Sequence, residues 1–454
     1  MRPLLWPAVL LLGVAAVEAP AASAQSPPGP PASPAPATTP APPSVAGRVL
    51  TLEEAIAIAL ETQPQIQARL SDFAAAQFRV DQAMAPLLPQ IAGSWTAARA
   101  QNVVGSPSTG SSTGTEVART RTFWTDTTLA RVSGSQLLFD FGKTFAAIDV
   151  ARKNAEATLE DLELQRQLIT QAVKEAYTNI NFGGRLIRVQ LQALERAELN
   201  LKSARGFFEV GTRPKSDVTR AEVDVANARL AVIQARNAER VARVALNTAM
   251  GIAADTPTQV RDNLFYQKAE FDRRQLFAEA LARRPEYKQD QLRVDAAAAF
   301  VRQTLRNFFP DVTAGGFYGA QRADMNEVWE LNIGLTWSIF DGGNRVARYR
   351  EARAAYEAAQ ARVKARELDI SREVEQAQLT LAETEERIQA AQALVASAQE
   401  NFRLAQGRFD AGVGTILELT DAQLALTQAQ NTEAQALADH RIAVARLERA
   451  IGRR

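Results

Sequence analysis

The chain has 454 residues, with 52 Lys and Arg against 51 Asp and Glu, one histidine and no cysteine. That balance excludes the basic excess of nucleic-acid binders. The missing cysteine excludes disulfides, thiolate nucleophiles, Cys-type zinc sites and the lipid anchor that needs a processed N-terminal Cys. With His440 as the sole imidazole, the usual metal centres and nucleophile–base pairs lack material, so no cofactor, metal or enzymatic activity is expected.

Residues 1–24 read as a secretory signal, with Arg2, an apolar run broken by Pro7 and Gly13, and Ala22-Ser23-Ala24 as cleavage site. Residues 25–48 form a tether that holds nine of the twenty prolines and favours extended polyproline conformations over packing. No later apolar run reaches the ~18 residues of a membrane helix, so any membrane insertion must use strands that close into a barrel.

From Leu50 the chain repeats itself. LTLEEAIAIALETQPQI returns as FDRRQLFAEALARRPEY, and Pro64 and Pro89 match Pro285 and Pro310 at a spacing of 221. Beyond the β region the spacing is 201, matching Phe139-Asp140 to Phe340-Asp341, Gly211 to Gly412, and Met250-Gly251 to Ile451-Gly452. The first copy therefore has 20 extra residues before Phe139, where QNVVGSPSTGSSTGTEVART has the composition of a hairpin tip. The copies span 49–251 and 271–454, joined by a connector at 252–270. Each reads as helix, strand, loop, strand, long helix, tight turn, long helix.

Strands are expected at 90–102, 123–139, 311–321 and 328–340. The last alternates, with Trp329, Leu331, Ile333, Leu335, Trp337 and Ile339 on one face and Glu330, Asn332, Gly334, Thr336 and Ser338 on the other. It exceeds the ~9–11 residues that a tilted strand needs to cross a bilayer. Trp329 and Trp337, with Trp124 in the first copy, are the expected membrane-interface aromatics. Four strands cannot close, since the smallest membrane barrels have about eight, so closure needs several chains.

Residues 344–406 contain neither Gly nor Pro and would form a helix about 95 Å long. Their seam, Val363, Ile370, Val374, Ala377 and Leu381, recurs 201 residues earlier as Leu162, Ile169, Val173, Ala176 and Ile180. Gly183-Gly184 in the earlier rod predicts a bend or a close helix contact.

The repeated helix–hairpin–rod order, the LFDFGK and IFDGGN junctions, and the FEVGTRPKSDV and FDAGVGTILEL turns together resemble the TolC-like outer-membrane factor family over about Leu50 to Arg454. The resemblance implies a mixed α/β membrane protein: a homotrimer with a 12-stranded outer-membrane β-barrel, continued by a long periplasmic α-helical barrel. It implies an exit duct for efflux pumps or type I secretion systems. Its partners would be a periplasmic adaptor (membrane fusion) protein, an inner-membrane transporter and outer-membrane lipid.

By the same resemblance Glu418, Asp421 and Asp217 map onto tip carboxylates of the channel gate. The family's basic residue at the second tip is replaced by Gly414, leaving Arg213 as the candidate clasp. Val210, Gly211, Thr212, Ala411, Gly412 and Val413 become adaptor contacts. The residues themselves leave a second reading open. Thr415 to Glu418 is a capping box, and carboxylates in first helical turns favour the dipole regardless of gating. For the chain as a whole, the alternative is a soluble periplasmic coiled-coil scaffold or adaptor.

Overall fold

The computed structural model describes residues 47–105, 120–268, 271–321 and 326–453. The signal sequence, nearly all of the tether and the expected tip of the first hairpin lie outside the described residues.

Short strand β1 (Val49–Leu50) leads into α1 (Leu52–Thr62), whose Thr51 and Glu54 form a complete capping box. Next come α2 (Pro64–Met84), β2 (Gln90–Gly105), β3 (Thr120–Phe139), and the rod α3 (Lys143–Glu209) with its return α4 (Lys215–Met250). After β4 (Gln259–Val260) the order recurs as α5 (Arg273–Arg283), α6 (Pro285–Arg306), β5 (Asp311–Gln321), β6 (Asn326–Thr336), α7 (Asn344–Asp410) and α8 (Ile416–Ala450). Both α3 and α7 are 67 residues long, a rise of about 100 Å.

The rod seams are largely buried, each against a short helix and the return helix of its own copy. Leu162, Ile169, Val173 and Ile180 pack on Ala55 and Ala59 of α1 and on Leu246 and Met250 of α4. Ile370, Val374 and Leu381 pack on Leu276 and Ala280 of α5 and on Leu447 and Ile451. A Cβ on Gly183 would lie 3.1 Å from the Glu239 backbone, so this glycine marks a close α3–α4 contact, while the helix continues through it.

Between the two halves, β1 pairs with β4, and the Tyr177 hydroxyl sits 2.8 Å from the Arg261 carbonyl, fixing the connector to α3. The sole histidine, His440, is buried and also faces the connector, with Nε2 3.3 Å from the Gln267 carbonyl.

The main sheet is antiparallel in the order β2-β3-β5-β6. Strand β6 ends at Thr336, four residues short of expectation. Its partner β5 begins at Asp311, opposite Thr336, and the preceding Pro310 has no N–H to continue the ladder. Trp337 instead donates from Nε1 to the Phe308 carbonyl at 3.0 Å. Side-chain alternation cannot reveal where the partner strand runs out.

Asp140 and Asp341 fasten the rods to the sheet. Asp140 accepts from the Gly142 N–H at 2.9 Å and the Thr144 N–H at 2.6 Å, and Asp341 from the Arg345 N–H at 3.0 Å. Burial pushes the Asp140 carboxyl up, but the hydrogen bonds from Thr144 and Gly142 outweigh it and hold the group below its ordinary 3.8. A depressed carboxylate contributes stability above its unfolded value and loses it as pH falls through the folded one. Asp140→Asn is therefore expected to destabilise at neutral pH, and the gap in denaturation midpoint should close as pH drops below 3.8.

Phe141 has φ of +55°, whereas the equivalent Gly342 adopts +71° without a side chain. Its ring stacks on Phe309 at 5.1 Å and meets Phe139 edge-on at 4.7 Å. The left-handed backbone costs a side chain about 1–2 kcal/mol, which the ring contacts offset. Phe141→Ala keeps the strain and loses the rings. It should unfold at lower denaturant than Phe141→Gly, a difference of about 1 kcal/mol; equal midpoints would contradict the strain argument.

Candidate functional site

Two features stand apart from packing: the helix tips and the apolar sheet face. At the first tip α3 ends with Gly211 at φ +73°, its N–H bonded to the Phe208 carbonyl and that of Thr212 to Phe207. At the second, Gly412 at φ +76° bonds Phe409, and Val413 and Gly414 bond Arg408. Both are helix ends closed by a left-handed glycine. They leave Val210 and Val413 about 70% exposed at the extremity (71% and 72%).

Arg213 joins the two tips. Its guanidinium lies 4.2 Å from the Phe409 ring centroid and 5.4 Å from that of Phe207, donates to the Gly414 carbonyl at 2.8 Å, and sits 3.6 Å from Asp217. Its side chain is 12% exposed. Phe207 and Phe409 meet edge-on at 5.8 Å above a cluster of Ile416 and Leu419.

Gly414 explains why the cation comes from the other tip. A Cβ there would stand 2.9 Å from the Phe409 nitrogen, so no side chain fits without moving the end of α7. Arg213 is thus held within one chain, and so is Asp217, both largely covered.

Glu418 and Asp421 are different: both are exposed on the first turns of α8. The capping box is half-formed. Thr415 Oγ1 accepts from the Glu418 N–H at 3.2 Å, while the Glu418 carboxylate turns toward Arg408, 3.7 Å away. The cap uses the Glu418 backbone, which leaves its charge for the solvent.

Above the tips a polar seam crosses from α3 to α8. Asn200 donates to Gln423 at 2.7 Å, Gln423 to the Ala193 carbonyl at 3.1 Å, and Thr420 bonds Asp224 on α4 at 3.0 Å. Satisfied neutral amides fix register without burying charge.

On the sheet, Ile91, Trp95, Val132, Tyr318, Trp329, Leu331, Ile333 and Leu335 share one face and are all exposed. The other face carries Ser94, Arg131, Ser133, Glu330 and Asn332. Arg131 donates to Ser94 at 3.2 Å, and Asn332 to Glu330 at 2.8 Å.

Register separates the expected interface tryptophans. Trp329 stands in the row of Tyr318 and Val132, and Trp337 lies beyond the opposite end of β6. Trp124 lies eight residues above Val132 on β3, past the end of β5, next to the Arg99–Asp126 ion pair. It stands farther from the rods than Trp329 does, and Trp95 is exposed one row above Trp329 on the same face. Its weak, Ala-rich strand context had hidden it in the sequence.

Among the described residues no helix is long and apolar enough to cross a membrane, and no His, Cys, Asp and Glu group could hold a metal. A sheet with one apolar face, set on helical rods of ~100 Å, defines a class: an outer-membrane channel protein with a long helical extension.

The chain belongs to the outer membrane efflux protein family, whose model matches residues 55–252 and 276–453. It is similar to the pyoverdine export outer membrane protein OpmQ of Pseudomonas putida, 24% identical over 85% of this chain and 82% of that protein. The alkaline protease secretion protein AprF of Pseudomonas aeruginosa is 26% identical over 86% and 82%. The solved structure of the outer membrane protein VceC of Vibrio cholerae superposes with a TM-score of 0.73 at 19% identity, over 88% of this chain and 96% of that one. The protein is therefore an outer-membrane exit duct that transports rather than catalyses, which sets aside the soluble scaffold.

Proposed function

We propose that three copies of the chain pool their sheets, four strands from each, into a twelve-stranded barrel continued by a barrel of helices, which an adaptor and an inner-membrane transporter open at the tips. The observation that carries this reading is the pair of open edges. Among the described residues β2 and β6 each lack a partner on one side, an arrangement that a membrane does not tolerate. The helices are open in the same sense. α3 packs on α2, α4, α6 and α8, and α7 on α6 and α8, leaving α2 and α4 at one flank and α7 at the other. Leu230, Ile233 and Val241 on α4 and Leu368 and Leu379 on α7 stay exposed there.

In this reading residues 1–24 are removed, 25–48 tether the N-terminus, and 49–251 and 271–454 are two copies of one unit. Trp329, Trp337 and Trp124 are the interface aromatics. Glu418 and Asp421 gate the pore, and Arg213 with Asp217 clasps the tips. Val210, Gly211, Thr212, Ala411, Gly412 and Val413 meet the adaptor. Relatives are named for pyoverdine export and for alkaline protease secretion, so cargo choice is assigned to the transporter rather than to the duct. Outer-membrane fractionation with planar-lipid recording tests it: a heat-modifiable oligomer that conducts ions is expected, and a non-conducting protein would refute it.

A further inference from the structure

We propose that the apolar sheet face holds a seat for one acyl chain of a phospholipid of the periplasmic leaflet. A groove of about 650 Å³ opens on this face, floored by Gly134 and Gly316 and bordered by Ile91, Val132, Tyr318, Trp329 and Leu331. The register explains its shape. Ile91, Gly134, Gly316 and Leu331 stand side by side in one row, so the two middle strands offer no side chain between long ones at either flank. The result is a trough rather than a flat band.

Its volume falls within the roughly 300–1,000 Å³ of small-molecule sites. Its lining spans three rows of this face, from Gln136 through Gly134 to Val132, along strands that cross the bilayer as lipid chains do. The groove starts at Pro89 and Gln136, beside the helical rods, and ends at Trp329, so it spans the half of the sheet nearest the periplasm. The only charged residue at its margin, Glu330, belongs to the opposite, polar face by alternation. The seat therefore selects a chain and not a headgroup. This inference rests on the reading that the apolar face borders lipid.

Two glycines make a matched test. A Cβ on Gly134 or on Gly93 would meet nothing within 4 Å, and both lie on the apolar face, but only Gly134 lines the groove. Gly134→Leu fills the trough, and Gly93→Leu adds the same side chain beside it. Each purified oligomer is incubated with equal amounts of phosphatidylethanolamine and phosphatidylglycerol of identical chains and weighed by native mass spectrometry. Wild type and Gly93→Leu should retain lipid, and Gly134→Leu should retain about five-fold less, with the two headgroups held equally. Undiminished retention in Gly134→Leu, equal loss in both variants, or a headgroup preference would overturn the seat. Quenching of tryptophan fluorescence by brominated chains separates the two failures. Quenching in every variant with no difference in retention removes only the seat, whereas no quenching in any variant removes the lipid-facing assignment itself.

Discussion

Arg213→Ala is expected to raise the resting conductance of the duct several-fold, with flickering openings absent from the wild type. Arg213 packs against both Phe207 and Phe409, and its hydrogen bond satisfies the buried Gly414 carbonyl of the other tip. Each desolvated cation–π contact is worth about 0.5–2 kcal/mol and a charge-assisted hydrogen bond about 1.5–3, so truncation should cost the joined tips roughly 2.5–7 kcal/mol per chain. Arg213→Lys keeps the charge but loses the planar fork that both stacks and donates, and should fall between the two. Asp217→Asn removes the 3.6 Å ion pair but leaves the ring contacts and the Gly414 hydrogen bond, so it should raise conductance less than Arg213→Ala. Single-channel recording of the three variants measures the order. Unchanged conductance in Arg213→Ala would show that the clasp does not hold the pore.

The second large effect is on ion selectivity. Glu418→Gln with Asp421→Asn should abolish most of the cation preference of the pore, because three chains would bring six exposed carboxylates to one opening and a ring of like charge concentrates counter-ions. The structure separates this from helix capping. The cap runs from the Glu418 N–H to Thr415 Oγ1, so both amide substitutions leave it intact. Thr415→Ala breaks the cap at about 1 kcal/mol while keeping both charges. Reversal potentials in a salt gradient decide between the roles: selectivity lost in the double variant and kept in Thr415→Ala supports a gate. The opposite pattern makes the acids helix furniture.

The two rods were legible because a 67-residue helix repeats its apolar positions often enough to betray the period, and the seam residues named from the sequence are buried except Val363 and Ala377, which are partly so. What they pack against was not legible. Periodicity reports a buried face but no partner, and the partners are a short helix and the return helix of the same copy. The end of β6 was missed because alternation continues through Trp337 after the ladder has stopped at Pro310.

At the tips the glycine turns could be read, since left-handed helix ends call for Gly. The Phe207–Arg213–Phe409 stack could not, because its members lie about 200 residues apart and meet only through folding. A usable hint was present all the same: Gly414 stands where a cation was expected, and Arg213 occupies the equivalent place in the other copy. The height of each tryptophan on the sheet was not legible either, because it is set by strand register, which no single strand encodes.

The account depends on open sheet edges being closed by neighbouring copies. Because the chain has no cysteine of its own, single cysteines can be placed on β2 and β6 and oxidised without background. Light scattering of the purified protein in detergent should give the mass of three chains, and paired β2 and β6 cysteines should lock it into covalent dimers and trimers on a denaturing gel. A protein that runs as one chain, with no β2–β6 crosslink at any pair of positions, would contradict it.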